Sequence, residues 1–442
     1  MAFYNSSIKT NVYDPILTLN NNRAEWQLPS GSLYLSSLRI HNLGAFLTAG
    51  GAIKWNTKGG IYSYIRNITL YDGSVILDQL RNVSEYMAFK NYNKANRNNV
   101  SIEKIKKGHS YGFTVGNTDG GVIENAWESK DITANVATTP RYCLDLRDVL
   151  PMLRNSQFLP GQLYQNLRLV IEFKRDTLST LQDNTSITNL STLTDTLLVV
   201  DELVNEQAVQ QALTQYQGVA FSAIENDAFV VQADGTVNAA STSSTNTTST
   251  ILHGFQDKFV NRLLMFVSPM TALASVGVAG GTGVLTSGGA LRAARLNGEI
   301  IQLRLNGANM FGGTGISSSA EKLAMLHDTW GMCNHAPGTE LLGLFSQRTT
   351  AQGISSPEYV ADMMNSNSYF GCFIRDRIGS LQVDITQTQF IPAGSAFPQA
   401  IDNAIQNNQD IMLGGQAQQV NVFGEVRKSI MVEGSNYRVL YN

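Results

Sequence analysis

The sequence predicts an all-β chain that carries a β-sandwich plan twice, and three observations lead to this fold class. The chain has 442 residues, which exceeds one ordinary core and suits two domains of roughly 200 residues each. Short apolar runs alternate with turn signals, and few stretches have helical spacing. The order of elements in the first half then returns in the second half.

Turn signals separate the predicted strands of the first half. A Pro-Ser-Gly turn at 29–31 precedes alternating apolar positions, and Asp72-Gly73 follows an apolar run, which favours a tight turn. The strongest strand pattern is Leu-Arg-Leu-Val-Ile-Glu-Phe at 167–173. The predicted strands of this half are 33–40, 61–70, 167–173 and 197–204.

Three segments have helical patterns. Apolar residues recur at helical spacing over 75–89, which predicts a helix between two strands. The segment 146–158 predicts only broken turns, with Asp145 as a cap and Pro151 inside it. The Gln- and Ala-rich segment 206–216 predicts a short helix that joins the two halves.

The second half repeats the first in order and at offsets close to half the chain length. The strand before Asn306-Gly307 corresponds to the strand before Asp72-Gly73, and a helical stretch follows the turn in each half. This shared order favours a duplicated domain over coincidence. The predicted elements are strands at 219–232, 258–268, 300–305, 381–385 and 422–426, with a helix at 320–330.

These elements divide the chain into four parts, and low-complexity segments are placed in loops. The Ser/Thr/Asn run at 239–249 and the Gly-rich run at 277–290 are expected to be surface loops. The predicted division is an N-terminal arm at 1–22, a first sandwich at 23–205, a linker helix at 206–217 and a second sandwich at 218–442.

Charge and composition argue against direct nucleic-acid binding. The net charge is −3 and charged residues make up only 15% of the chain, so no general basic excess is available to neutralise phosphates. One basic cluster has two interpretations, an anion- or nucleic-acid-facing patch and a solvated loop and strand edge, and the second is favoured. It comprises Lys90, Lys94, Arg97, Lys104, Lys106 and Lys107, with Tyr86, Phe89 and Tyr92.

The sequence carries no sign of a secretory or membrane route. Cys143, Cys333 and Cys372 are odd in number and widely spaced, which implies reduced thiols and no disulfide framework. Residues 1–22 lack an apolar signal core, and no stretch approaches the ~20 apolar residues of a membrane span. We therefore expect a soluble chain.

Candidate chemical sites are weak. The Gly-rich stretch at 277–283 lacks the Lys-Ser or Lys-Thr pair of a phosphate loop, so it predicts a loop without nucleotide binding. The group of His327, Asp328, Cys333 and His335 contains zinc-ligand types, but its spacing matches no familiar closed site. The expectation is no metal and no cofactor.

Acidic residues do not form a catalytic pair in the sequence. Asp201 and Glu202 are neighbours on a predicted strand and point to opposite faces, so they cannot converge on one substrate atom. The residues around the turn at 145–154, Asp145, Arg147, Asp148 and Arg154, are expected to form ion pairs. With no nucleophile motif present, the sequence predicts no catalytic residue and a protein that is not an enzyme.

Three motifs resemble the double jelly-roll major capsid proteins of polinton-like viruses, virophages and large DNA viruses. They are Cys-Leu-Asp-Leu-Arg-Asp-Val-Leu-Pro at 143–151, Phe-Leu-Pro at 158–160 and Asn-Leu-Arg-Leu-Val-Ile-Glu-Phe at 166–173. The opening at 22–26 and the run at 33–42 fit the same pattern. The resemblance implies two tandem eight-stranded antiparallel jelly rolls, with short helices in the loops between strands.

The resemblance also implies a function and partners. Three chains would form a homotrimer with a pseudo-hexameric outline, and trimers would tile an icosahedral shell in the virion. The expected partners are neighbouring capsomers, penton proteins, minor capsid proteins and an internal membrane beneath the shell in some members. The alternatives are another viral β-sandwich protein (a penton, spike or fibre) and a carbohydrate-binding β-sandwich.

Overall fold

Antiparallel strands dominate the chain. The computed structural model describes residues 8–16, 23–48, 52–53, 55, 59–94, 106–108, 132–174, 190–231, 243–269, 300–317, 319–331, 369–390, 418–434 and 436–441. The strands of the first half are β1 Ile8–Tyr13, β2 Arg23–Gln27, β3 Leu33–Leu35, β4 Arg39–Leu43, β5 Ala45–Leu47, β6 Ala52–Ile53, β7 Ile65–Asp72, β8 Val75–Arg81, β9 Ile132–Thr133, β10 Tyr142–Asp145, β11 Phe158–Pro160, β12 Leu167–Phe173, β13 Leu190–Thr192 and β14 Leu197–Leu203.

The remaining elements comprise the strands of the second half and the helices of both halves. The strands are β15 Gly218–Val231, β16 Ser243–Ile251, β17 Phe259–Pro269, β18 Ile300–Leu305, β19 Ala308–Asn309, β20 Tyr369–Arg377, β21 Leu381–Phe390, β22 Gln418–Glu433 and β23 Asn436–Tyr441. The helices are α1 Val83–Lys94, α2 Pro151–Asn155, α3 Glu206–Gln215 and α4 Ser319–Trp330, and 3₁₀ turns occupy Gly60–Tyr64, Leu146–Asp148 and His253–Phe255.

Each half contains two four-stranded antiparallel sheets with the jelly-roll strand order. In the first half β1-β14-β4-β10 form one sheet and β2-β12-β7-β8 form the other. In the second half the sheets are β15-β22-β17-β20 and β16-β21-β18-β19. The eight strands of each half follow one another in the same chain order. The predicted all-β fold of two tandem jelly rolls is therefore confirmed.

Short additions extend these sheets. Strands β3 and β11 lie beyond β4 beside the end of β14, and β23 occupies the matching place beside the end of β22. Strand β5 pairs with β13, and β6 pairs with β9. Neither β1 nor β23 was predicted from the sequence. Strand β1 lies inside the range assigned to an N-terminal arm, yet its six residues pair with β14.

Tight turns set the hairpins at corresponding places in the two halves. Gly73 has φ 57° between β7 and β8, while Asn306 and Gly307 have φ 51° and 84° between β18 and β19. Positive φ at such positions matches the right-handed twist of the flanking strands. A helix then follows the hairpin in both halves, α1 in the first and α4 in the second.

Two predictions about secondary structure are wrong. The helix predicted over 75–89 is strand β8 as far as Arg81, because the turn at Gly73 folds this segment back onto β7, and the helix begins only at Val83. The loop predicted over 239–249 overlaps strand β16, which pairs along β21. Threonine favours strands, and polar residues suit the sheet edge that β16 occupies. The Gly-rich run at 277–290 lies outside the described residues.

Other predictions hold with small shifts. The strand predicted from 61 begins at Ile65, after a 3₁₀ turn. Asp145 caps the 3₁₀ turn that follows it by accepting a hydrogen bond from the Arg147 backbone, and Pro151 stands at the start of α2. Strand β12 has the predicted bounds, and the predicted linker helix is α3, capped by Asn205.

Two large hydrophobic cores lie in the described part of the chain, and a smaller cluster of Leu33, Phe158, Leu203 and Ala212 lies beside the linker helix. The core of the first jelly roll includes the fully buried Trp26, Trp55 and Tyr62, and it continues into the second jelly roll at Phe221 and Phe423. A second core lies between the two sheets of the second jelly roll. The two halves therefore pack on each other through buried apolar side chains as well as through their own interiors.

Candidate functional site

The two jelly rolls meet where β8, α1 and α2 of the first pack on β15 and β22 of the second. Tyr86 of α1 lies against Phe423 of β22, with ring centroids 5.4 Å apart. Phe89 packs edge-on against Trp330 of α4 at 5.9 Å. Aromatic pairs in such geometries add to the stability gained from burial alone. The interface thus resembles the interior of a domain.

Polar contacts fix the register of this interface at its margins. The Tyr437 hydroxyl of β23 donates to Asp72 Oδ2 at 2.7 Å, at the hairpin turn of the first jelly roll. Asn82 Nδ2 donates to Asn226 Oδ1 at 2.7 Å, just before α1 begins. Both bonds cross from one jelly roll to the other, so they orient the halves as well as hold them together.

A group of charged side chains is buried at the centre of the interface. Asp78 of β8 is fully buried, and Lys428 of β22 and Glu225 of β15 are 2% and 7% exposed. Asp78 accepts hydrogen bonds from the backbone of Met152 at 2.8 Å and of Gln79 at 2.9 Å. Buried charges are costly unless they are paired or hydrogen-bonded, and here the two jelly rolls supply opposite charges.

Burial shifts the pKa values of Asp78 and Lys428 towards their neutral forms. Burial raises the pKa of Asp78 to about 7, although its two backbone donors and the positive charge of Lys428 act in the opposite direction. Burial lowers the pKa of Lys428, against the attraction of Asp78 and Glu225. The same cause acts on both side chains, and it depends on the two halves remaining packed.

A cleft of about 480 Å³ opens beside these charges, between the two jelly rolls. Its walls carry five cationic side chains and two carboxylates. The cations are Lys90 and Arg154 from the first jelly roll and Arg262, Arg427 and Lys428 from the second, and the carboxylates are Asp148 and Glu425. The cleft is therefore positively charged, in a chain whose net charge is −3.

Ion pairs inside the cleft engage both carboxylates. Arg262 pairs with Glu425, and its guanidinium also lies 4.1 Å over the Trp330 ring. Asp148 pairs with Lys107 at 2.9 Å, and its backbone carbonyl accepts from Lys90. These pairs leave the cleft with a surplus of positive charge on its other arginine and lysine side chains.

The basic cluster seen in the sequence is partly built into this site. Tyr86, Phe89 and Lys90 belong to α1, and Lys107 is only 7% exposed and paired with Asp148. The interpretation as a solvated loop is therefore wrong for Tyr86, Phe89 and Lys107, whose side chains are buried. Lys94 and Tyr92 lie at the end of α1, Lys106 is exposed, and Arg97 and Lys104 lie outside the described residues.

The acidic candidates have structural partners. Asp201 accepts from Thr10 and Ser37 at 2.8 Å and pairs with Arg39 at 3.0 Å. Glu202 instead accepts from Asn11 on β1. The two neighbouring carboxylates thus engage different partners, as the alternation of a strand predicts.

The predicted ion pairs around the turn at 145–154 are present in part. Arg147 pairs with Asp145 at 2.5 Å, whereas Arg154 donates to the Arg147 backbone carbonyl and Asp148 pairs with Lys107.

The candidate metal residues are not brought together in the described part of the chain. His327 Nδ1 and Asp328 Oδ1 lie 3.5 Å apart near the end of α4. Cys333 and His335 lie outside the described residues. No group of three or more possible ligands occurs among the residues that the structure describes. The thiols of Cys143 and Cys372 are free, and burial raises the pKa of each.

Several apolar side chains face outward within the described ranges. Val12 on β1, Val204 after β14 and Met431 on β22 are 57%, 47% and 49% exposed. Apolar side chains at sheet margins are typical of surfaces that other chains cover. None of the described helices is both long and apolar enough to cross a bilayer.

Sequence reasoning missed the buried charges at the interface. A weak signal existed, since Asp78 interrupts the apolar run Val-Ile-Leu-Asp-Gln-Leu and Lys428 lies between Val426 and Ile430 on one strand. A charge at an inward position of a strand indicates a buried partner. The partner could not be identified, because it lies in the other half of the chain.

Comparisons with known proteins agree with this architecture. No protein-family model matches the sequence, and no curated protein matches it. Solved structures do match over nearly the whole chain. The capsid of the virus PBCV-1 matches with a TM-score of 0.60 and 10% identity, covering 98% of this chain and 96% of that one.

Two virophage structures are similar in the same way. The Sputnik virophage structure matches with a TM-score of 0.56 and 10% identity, covering 98% of this chain and 88% of that chain. The mavirus major capsid protein matches with a TM-score of 0.51 and 9% identity, and the match covers 100% of this chain and 91% of the mavirus chain. At such low identity the likeness is one of fold. It extends over both jelly rolls and their relative placement.

Proposed function

We propose that this chain is the major capsid protein of a virus, with a structural and non-catalytic role in the virion. The observation that carries the proposal is the pair of jelly rolls with identical strand order, packed through a continuous core within one chain. Solved viral capsid proteins share this whole arrangement over 96% and 91% of their own lengths. Such a duplicated block suits tiling, because each chain presents two similar sides to its neighbours.

The proposed assembly is a homotrimer with a pseudo-hexameric outline. Three chains would contribute six jelly rolls, and trimers would tile an icosahedral shell together with penton and minor capsid proteins, over a membrane in some assemblies. The exposed apolar side chains at sheet margins support this proposal, since neighbouring chains would bury them. We also propose a division into a first jelly roll up to 205, a linker helix at 206–217 and a second jelly roll at 218–442. Strand β1, within the range 1–22 that was assigned to an arm, belongs to the first jelly roll because it pairs with β14.

The mass of the purified chain in solution tests the proposal. Light scattering after size exclusion is expected to give a particle of three times the 48.2 kDa of one chain, stable to dilution. Dilution separates an obligate assembly from weak association. A stable monomer that keeps its fold at all concentrations would contradict the capsid role.

A further inference from the structure

The cleft between the two jelly rolls has the charge and size of an anion site. We propose that it binds a small phosphate-bearing anion, held by cationic side chains from both jelly rolls. Arg154 lies on the first jelly roll, and Arg427 and Lys428 lie on the second. This inference does not rest on the capsid role, because it concerns the folded chain by itself.

The three proposed binding side chains make no salt bridge within the described residues. Arg154 donates to the backbone carbonyls of Arg147 at 3.1 Å and Asp148 at 3.5 Å. Arg427 places its guanidinium 4.2 Å over the ring of Phe259. Both guanidinium groups thus retain donors that an anion in the cleft can use.

Lys428 gives the second, independent observation. It is only 2% exposed, yet the direct contacts of its ammonium among the described residues are with the rings of Tyr441 at 5.1 Å and Phe221 at 5.9 Å. The charges of Asp78 and Glu225 act on it from a distance, and burial lowers its pKa. Lys428 lines the cleft, and its ammonium carries three N–H donors that an anion there can accept from.

The chemistry favours phosphate over other anions. Guanidinium forks bind two phosphate oxygens at once, and several converging cations suit a group with more than one negative charge. The volume of about 480 Å³ admits pyrophosphate or a nucleotide. The site is a small cleft on a chain with net charge −3, which disfavours a nucleic-acid backbone that needs a long basic surface.

Binding would connect the two halves of the chain. Arg154 and Arg427 belong to different jelly rolls. An anion held by both side chains therefore stabilises the packed arrangement of the two jelly rolls relative to any state in which the jelly rolls separate. A ligand that binds only the folded state raises stability in proportion to the logarithm of its concentration above Kd. The proposed site therefore couples an anion to the arrangement of the two domains.

Calorimetric titration of the full chain with sodium pyrophosphate tests the proposal, with sodium sulfate at equal ionic strength as reference. We expect saturable binding of one pyrophosphate per chain, tighter than sulfate, and a rise of Tm with concentration. Arg154→Gln should weaken binding by about tenfold or more, because a charge-assisted contact is lost. Arg66→Gln, which removes an exposed charge on β7 that does not line the cleft, should leave the affinity unchanged.

Further arms make each outcome decisive. Lys428→Met keeps the apolar stem, and if it folds it should also weaken binding. If it does not fold, Arg154→Gln alone decides. ATP binding as tightly as pyrophosphate assigns recognition to the phosphates, and tighter ATP binding assigns it to a nucleotide. Absence of saturable binding overturns the proposal, as does equal weakening by Arg66→Gln. Tighter capture of a Glu-rich hexapeptide than of pyrophosphate would assign the cleft to a protein segment instead.

Discussion

Single residues at the interface illustrate how a buried charge can connect two domains. Asp78 accepts hydrogen bonds from two backbone donors and lies near the charge of Lys428. The side chains of Asp78 and Lys428 would both be exposed to water if the halves separated. The raised pKa of Asp78 means that the folded chain holds a proton more tightly than the unfolded chain. Stability from this proton is fully present below about pH 4 and is lost as the pH rises through about 7.

Replacement of Asp78 tests this coupling. Asp78→Asn keeps an acceptor but cannot titrate, so the variant should gain stability relative to the wild type as pH rises from 5 to 8. Urea unfolding at several pH values measures the difference in free energy. Glu433→Gln, which removes an exposed carboxylate at the end of β22, controls for the change in net charge. A constant difference between variant and wild type across this range would contradict the assignment.

Backbone space at Gly218 is a second constraint at the scale of one residue. Gly218 begins β15 with φ 105°, and an added Cβ would lie 1.9 Å from the carbonyl oxygen of Ile430. Gly31 has a similar φ of 89° but open space around it. Gly218→Ala should therefore lower the free energy of unfolding by about 3 kcal/mol or more, against about 1 kcal/mol for Gly31→Ala. Equal losses in denaturant unfolding would contradict the close approach.

At the scale of elements, pattern and turn chemistry predicted nine strand segments and the helices α3 and α4, whereas many of the shorter strands were not predicted. Strand β12 and helix α3 were predicted closely, because the former is a continuous apolar run and the latter a capped Ala- and Gln-rich segment. Strand β8 was missed because its apolar residues fit both the period of a helix and the period of a strand. Only the pairing with β7 decides between a helix and a strand. Strand β16 was missed because its Ser and Thr residues have no apolar pattern, and they form a strand by pairing with β21.

The candidate site was not predictable to the same degree. Its parts come from α1, α2, β17 and β22, which are far apart in sequence, and each charge alone resembles an ordinary surface residue. The sequence singled out Tyr86 and Lys90 in a basic cluster and Asp148 and Arg154 around a turn, but it did not bring these residues together into one site. These charges become buried only when the two halves pack together, so their burial depends on the tertiary fold and cannot be predicted from the sequence of either half.

The cap of the linker helix gives a prediction at this scale. Asn205 Oδ1 accepts from the backbone of Ala208 at 3.1 Å, at the start of α3. Asn205→Ala should cost about 1 kcal/mol of stability, because that donor loses its partner. Gln210→Ala, on the exposed side of the same helix, should change the free energy of unfolding by less than about 0.5 kcal/mol. Similar values from thermal unfolding for both variants would contradict the capping role.

The whole molecule is a duplicated jelly roll in which one core continues from the first half into the second. The continuity through Phe221 and Phe423 makes the two halves a single block, which is what a tile in a shell requires. The apolar side chains at its margins are exposed in the single chain, and in the proposed assembly they would contact neighbouring blocks. Both features follow from strand order and burial, and they lead to the same proposed role.

Electron microscopy of the purified full chain measures this claim most directly. The account predicts threefold particles with a six-lobed outline, each lobe the size of one jelly roll, and each chain contributing two adjacent lobes. Class averages with isolated two-lobed particles, or with lobes at variable separation within one chain, would contradict it.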